Sequence, residues 1–434
     1  MATLPIIIYR ISKTMKSLLL STYDIQGGAA RAAYRLHQGL LDVGVSSQIL
    51  VQQKISDDPY VSGPRSKLNK TIAFLRPGID GFPIAKYGQR TGDRFSLGWL
   101  PENRVQQIDL IHPDIVNLHW IGSGFLRLES LRNIRQPIVW TMHDMWAFTG
   151  GCHYTDGCDR YLQQCGCCPQ LGSRSQRDDS ASNWKRREQL FKTLNLTIAA
   201  PSKWLTDCAK QSPLLNHCRV EHIPYGLDLT TYRAHDKAWI RSLLKLPLDK
   251  PLILFGASDA MSDRRKGFHF LEIALQKLSQ MEWENRPEII IFGASYGALD
   301  CRFIVHYLGI LQDDVTLALA YGAADVFVAP SIQDNLPNTV LESIACETPV
   351  VAFAIGGMPD LIESGQTGYL AQPFDTDDLA RGIHWVLTTE KPLGRQAREI
   401  AEQRFSLTKQ AYAYKDLFES LLDDHHRQRG KSIV

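Results

Sequence analysis

SIQDNLPNTVLESIACETPVVAF, residues 331–353, is the stretch on which the fold turns. An apolar run, 325–330 (DVFVAP), precedes it, and it closes on another, 349–353 (PVVAF). Short continuous apolar runs on either side of a helical segment read as buried strands of a parallel sheet. Between them Asp334 opens a polar loop, and Glu342 lies further on, in the predicted helix. In open parallel sheets, ligands sit in the loops at the C-terminal ends of strands. Pro337 suits a first helical turn, where its missing N–H costs nothing, and the free N–H groups there favour an anion such as a diphosphate. Helical side chains lean toward the N-terminus, so Glu342 can reach back over the loop toward a ribose diol. Acids beside a helix start also serve as caps and dipole partners. The next loop favours the ligand reading: Ile355-Gly356-Gly357-Met358-Pro359 again joins a strand to a predicted helix, 359–363. Two adjacent loops of this kind make a crevice.

Outward from this unit, apolar runs alternate with helical segments along the chain. A first series comprises 17–22, 47–52, 115–118, 137–141, 196–200 and 220–224; a second comprises 251–256, 288–293, 314–317, 325–330 and 350–353. The break Tyr225-Gly226-Leu227-Asp228 separates them. The pattern predicts an α/β protein of two doubly wound parallel-sheet domains facing across a cleft. The expected division is an extension at 1–14, an N-terminal Rossmann-like domain at 15–225, a C-terminal Rossmann-like domain at 226–400, and a closing helix with a disordered tail at 401–434. The closing helix spans 406–422 and carries Tyr412, Leu417 and Leu421 at helical spacing; the His425-His426 pair beyond it is too isolated to mark a metal site.

A hydrophobic content of 44% and a charged content of 22% belong to an ordinary globular chain. The formal net charge of +2 supplies no basic field for nucleic acid. No apolar run is long enough for a spanning helix, and the N-terminus places its apolar residues before its basic ones, the wrong order for a signal peptide. Residues 66–86 (SKLNKTIAFLRPGIDGFPIAK) mix basic and apolar side chains, which fits either a surface excursion or peripheral contact with a membrane.

Other positions carry chemistry. Gly27 and Gly28 stand between the first predicted strand and the helix 29–40, where glycines let a ligand approach backbone N–H groups; a dinucleotide fingerprint is missing. His143 follows the strand 137–141 directly, and His119 ends the strand before it. Lys266 precedes Gly267 at the start of the helix 268–278, and a cation placed against a helix dipole calls for an anionic guest. Five of nine cysteines crowd into residues 152–168. Cys152, Cys158, Cys165 and Cys168 can form a tetrahedral structural zinc site, with Cys167 or His153 as substitutes; disulfides and unlinked thiols are the alternatives. Closing such a site would pin the loop after His143.

The segment 330–353 resembles the signature of retaining, nucleotide-sugar-dependent glycosyltransferases of the GT-B fold, and its wording DNLPN resembles a polysaccharide-biosynthesis branch of them. The resemblance implies catalytic roles for His143, Lys266 and Asp334. It further implies donor contacts at Gly27, Gly28, Arg265 and Glu342. The loop residues Asn335, Leu336, Asn338, Gly356 and Gly357 complete the implied donor site. Glu342 would hold the nucleotide ribose, Asp334 and His143 the sugar, and Lys266 the departing diphosphate. The family more often has Glu where Asp334 stands, and an Arg where residues 257–261 read ASDAM. In this fold the last helix crosses back to the N-terminal domain.

The implied function is transfer of a sugar from a nucleotide-diphosphate donor to a carbohydrate or lipid-linked carbohydrate acceptor, with retention, in cell-surface polysaccharide synthesis. No cofactor is required for catalysis, and the expected location is the cytoplasm, at the inner face of a membrane. A nucleotide-sugar epimerase of the same architecture, or an idle sugar-nucleotide-binding scaffold, are the alternatives.

Overall fold

The computed structural model describes residues 14–256, 263–294 and 301–431. Residues 1–13 of the expected extension, and residues 257–261, lie outside the described residues. Among the described residues thirteen strands form two sheets, and every strand pair is parallel. The first sheet contains β1 (Lys16–Tyr23), β2 (Ser46–Gln53), β3 (Val61–Ser62), β4 (Ile115–Leu118), β5 (Ile138–Thr141), β6 (Leu196–Ala200) and β7 (Arg219–His222). Their order is β3-β2-β1-β4-β5-β6-β7. The second contains β8 (Leu252–Gly256), β9 (Glu288–Phe292), β10 (Val305–Gly309), β11 (Val326–Ala329), β12 (Val350–Phe353) and β13 (Gly368–Ala371), in the order β10-β9-β8-β11-β12-β13. In each sheet the order reverses beside the first strand to enter, β1 in one and β8 in the other. Those switch points, β1/β4 and β8/β11, are where such sheets open a ligand crevice at their C-terminal edges.

The strands form where the sequence places unbroken Leu, Ile and Val. Leu18, Leu19 and Leu20 of β1 and Ile289, Ile290 and Ile291 of β9 are fully buried on both faces, because helices cover each sheet on both sides. One expected strand is a helix. Residues 314–317 open the helix Asp314–Ala323, capped by Asp313, whose carboxylate accepts from the Thr316 N–H at 2.8 Å. That cap, with an apolar run continuing past Leu317, outweighs the Val-Thr content that suggested a strand. The strand that belongs there is β10, an edge strand whose half-buried His306 and Tyr307 hide its character.

The helix Leu407–Lys431 does not stop at residue 422; it runs on through the segment expected to be disordered, carrying His425 and His426. Its buried stripe is Ala411, Tyr414, Leu417 and Phe418, packed with Leu19 and Leu36 of the first domain. Tyr412, expected in that stripe, is exposed. Burial of an aromatic of the size of Phe418 is worth about 1.5–3 kcal/mol, so the crossing helix ties the two ends of the chain together. Where the chain passes between domains, its two segments run side by side: the Leu227 N–H bonds the Phe405 carbonyl at 2.8 Å, and the Leu407 N–H bonds the Leu227 carbonyl at 3.0 Å.

Candidate functional site

The Asp334 loop leaves β11 and is pressed against two neighbouring loops by glycines that leave no room for a side chain. Gly267 has φ +72, and a Cβ there would overlap the Pro330 carbonyl oxygen; Gly356 has φ +51, and a Cβ there would overlap the Asp334 carbonyl oxygen. Only glycine combines that backbone with that closeness. The result brings Lys266 and Arg265, from the loop after β8, against Asp334.

Lys266 Nζ lies 2.8 Å and Arg265 Nη1 3.2 Å from the same oxygen, Oδ2 of Asp334. All three side chains are largely buried. Burial alone would raise the Asp334 carboxyl, but Lys266 and Arg265 hold it down at about 2. Lys266 is lowered by burial and by Arg265 beside it, with Asp334 opposing. Arg265 also donates to the Gln333 carbonyl at 3.1 Å and lies over the Tyr154 ring, 4.7 Å from its centroid. Arg265 Nη2 also pairs with Asp263 at 3.2 Å, so two cations and two acids gather at the C-terminal edge of the second sheet, where a diphosphate is expected to sit.

Glu342, buried on the helix Asn338–Ala345, accepts from Arg35 Nη2 at 2.8 Å and from the Tyr321 hydroxyl at 3.0 Å. Arg35 belongs to the first domain, on the helix Gly28–Asp42, and also donates to the Tyr232 hydroxyl at 3.0 Å. One turn earlier on the same helix, Arg31 donates to Asp314 at 3.0 Å. The carboxylate expected to hold a ribose is therefore engaged across the cleft. Arg35 is not among the expected site residues, although Arg31 and Arg35 stand at helical spacing just after Gly27-Gly28.

His143 lies two residues past the end of β5, and both ring nitrogens are taken: Nδ1 meets the Tyr225 hydroxyl at 2.6 Å and Nε2 meets His119 Nδ1 at 2.9 Å. The His143 ring lies nearly parallel to both partners. Burial lowers His143 to about 4 and His119 well below the usual range, so this pair is neutral at pH 7. His143 is a wall of the cleft held by His119 and Tyr225, and its backbone carbonyl accepts from Asn335 Nδ2 at 3.2 Å.

The remaining loop residues also join the domains. Asn335 Oδ1 accepts from the Ser202 hydroxyl at 2.6 Å, and Asn338 Nδ2 donates to the Gly28 carbonyl at 2.9 Å. Both side chains, expected to face the donor, bridge the cleft. The Leu336 side chain lies in the core of the second domain, which leaves only its backbone to meet a ligand. Gly357 packs on the Asn335 carbonyl and donates its N–H to the Asp334 carbonyl at 3.2 Å. Gly27, with φ +89, has open space around its Cβ position.

The geometry can be set beside known proteins. Residues 250–389 match the family model described as glycosyl transferases group 1. The second domain belongs to that family. A D-inositol 3-phosphate glycosyltransferase of Arthrobacter sp. (strain FB24) is 26% identical over 430 residues, 92% of each chain. A glycosyl transferase assigned to colanic acid biosynthesis in Escherichia coli (strain K12) is 24% identical over 348 residues, 75% of this chain and 80% of that one. Among solved structures, Anabaena HepE, determined with UDP and glucose, superposes with a TM-score of 0.63 at 19% identity, over 94% of this chain and 100% of that one. The fold is GT-B, and the chain is similar to group 1 glycosyltransferases. The epimerase alternative finds no support among these relatives.

Proposed function

We propose that this glycosyltransferase moves a sugar from a nucleotide-diphosphate donor to a carbohydrate or lipid-linked carbohydrate acceptor, with retention of anomeric configuration, in cell-surface polysaccharide synthesis. The observation that carries the donor reading is the buried Lys266–Asp334–Arg265 cluster. Breaking a sugar–diphosphate bond builds negative charge on the leaving oxygen, and preorganised cations lower the cost of that charge. Without a donor, Asp334 neutralises Lys266. With one, sugar hydroxyls occupy Asp334 while the diphosphate takes over Lys266 and Arg265, so the cations need little rearrangement. Gly27 and Gly28, at the start of the helix Gly28–Asp42, offer backbone N–H groups to the same phosphates. Glu342 receives the ribose once Arg35 yields, and His143 lines the sugar pocket. The acceptor attacks the face from which the diphosphate departs, and no cofactor takes part. UDP and UDP-glucose complexes of Anabaena HepE favour this class of donor, and the colanic acid relative favours a polysaccharide product.

The helix Lys67–Asp80 supports a lipid-linked acceptor. Leu68, Phe74 and Leu75 on it, and Phe82 just beyond, are exposed beside Lys67 and Lys70. An apolar face edged with lysine suits the surface of an anionic membrane. The clustered Cys152, Cys158, Cys165, Cys167 and Cys168 are thiols rather than disulfides, which agrees with a cytoplasmic setting at the inner membrane face.

The test is a panel of UDP-, GDP-, ADP- and TDP-linked sugars, read by thermal stabilisation and release of nucleoside diphosphate. One nucleotide class should stabilise the protein and be turned over slowly even without acceptor, with the product anomer assigned by NMR. A protein that is stabilised by a nucleotide but never cleaves any donor is the idle scaffold.

A further inference from the structure

The donor chemistry makes no use of the cysteines that follow His143. Four of them, Cys152, Cys158, Cys165 and Cys168, line the same small cavity with Thr149 and Gly150. Its volume of about 20 Å³ is room for one water-sized guest. The fifth cysteine is turned away. Cys167 has φ +44 and its thiol donates to the Arg174 carbonyl at 3.2 Å. His153 is also excluded, because Nδ1 meets Asp144 at 2.7 Å and Nε2 meets the Ser96 hydroxyl at 3.0 Å.

One further feature singles out these sulfurs. Beside them lies Arg187, fully buried, with its guanidinium 4.5 Å from the centroid of the Trp146 ring. Its Nη1 donates to the Trp146 carbonyl, while Nε and Nη2 find no hydrogen-bond partner among the described residues. Cys165 and Cys152 are the first groups that favour its charge. A buried cation without a carboxylate partner is costly, and negatively charged sulfur would offset it.

We propose that Cys152, Cys158, Cys165 and Cys168 bind a structural zinc ion as four thiolates. As each S–Zn bond forms, the thiol proton passes to solvent, and the resulting dianionic centre is balanced in part by Arg187. Among the described residues no group of three or more His, Cys, Asp or Glu side chains is already set to hold a metal. The thiols must therefore draw inward as the ion enters. With four protein ligands the site is closed, so its role is architectural. It pins the loop that carries Tyr154, which lies under Arg265, and Asp156, whose N–H donates to Gln333 at 3.0 Å. Zinc thus fixes the first-domain wall of the Asp334 cluster.

The experiment is elemental analysis of the full-length chain, grown with added zinc and purified under reducing conditions, together with cobalt substitution. About one zinc per chain is expected, and cobalt should give the charge-transfer and d–d absorption of a tetrahedral thiolate site. Cys158→Ser and Cys168→Ser should lower zinc content at least about tenfold, whereas Cys167→Ser and Cys208→Ser should retain it. Zinc below about a tenth of an equivalent with no cobalt absorption, or a disulfide mapped among the four, would overturn the proposal. If the serine variants fail to fold, the wild-type zinc content and cobalt spectrum decide it.

Discussion

Arg35 and Glu342, 307 positions apart in sequence, are joined across the cleft by a hydrogen-bonded ion pair of 2.8 Å, with side chains 6% and 4% exposed. Burial opposes charge on Arg35, but Glu342 first, then Tyr232 and Asp314, more than restore it, so Arg35 stays cationic. The pair latches the two domains together. A nucleoside that needs Glu342 must take the place of the guanidinium, and binding is coupled to how far the domains part.

Breaking the latch from one side should therefore have opposite effects on stability and on ligand response. Arg35→Met leaves Glu342 buried with only Tyr321 as partner, at a cost of about 3 kcal/mol. The variant should melt at a lower temperature than wild type, yet gain a larger thermal shift from the preferred nucleoside diphosphate, whose ribose replaces the lost partner. An equal or smaller shift in the variant would show that Glu342 does not meet the nucleoside. Calorimetric titration of both proteins with the same nucleotide checks the point.

Lys266→Ala removes the cation nearest Asp334 and leaves Arg265. Turnover of the preferred donor, including its slow hydrolysis, should fall by about 10²–10³. The fold should survive because Arg265 still pairs with Asp334. Lys266→Arg should recover part of the loss only if charge rather than shape is what matters. A variant that keeps wild-type kcat and changes KM alone would assign Lys266 to ground-state binding.

How much of this was legible beforehand depends on distance along the chain. Asp334, Lys266 and Gly356 each sit in their own strand–loop–helix unit, and local pattern alone places such loops at the edge of a parallel sheet. Interior strands such as β9 were legible for the same reason, being unbroken runs of isoleucine. The partners that give the site its present state were not. Tyr225, Tyr321 and Ser202 reach it through tertiary crossings that leave no local trace, and Arg35 is marked only by its helical spacing from Arg31. Asn335 and Asn338 lie in the expected loop, and their side chains serve the contact between domains. Polar loop residues look alike in sequence whether they meet a ligand or another loop.

The neutral His119–His143 pair predicts an acid limb in stability. In the folded state His143 titrates near about 4, below the ordinary histidine value of 6.5, because burial disfavours the imidazolium. Between these values the unfolded chain binds more protons than the folded one, so stability falls as pH drops from 6.5 toward 4. The contribution of His143 is about 3 kcal/mol across that window. Chemical denaturation of wild type and His143→Gln at a series of pH values should show a shallower slope in the variant. Parallel curves would mean that His143 is accessible to protons in the fold.

The helix Lys67–Asp80 makes a prediction about surfaces. Sedimentation with vesicles of anionic phospholipid should carry down the wild-type protein, and Leu68→Ser with Phe74→Ser should abolish this while leaving turnover of a soluble acceptor unchanged. Added salt should weaken binding, since Lys67 and Lys70 supply its electrostatic part. Equal binding to neutral vesicles, or retention by the double variant, would rule out this face as the contact.

Gly356 tests whether loop packing sets the geometry of the charge cluster. At φ +51 any side chain is strained, and a Cβ would collide with the Asp334 carbonyl oxygen, a backbone atom that can yield only by moving the whole loop. Gly356→Ala should therefore shift Asp334 relative to Lys266 and Arg265. Positioning errors of this kind are expensive, so donor turnover should drop about 10²-fold, with a stability loss of about 1–3 kcal/mol from the strained backbone. Gly365, also at positive φ (+81) but with open space at its Cβ position, is the control. Gly365→Ala should carry the stability cost alone. If both variants lose activity in proportion to stability, the close approach of the Gly356 loop has no bearing on the site.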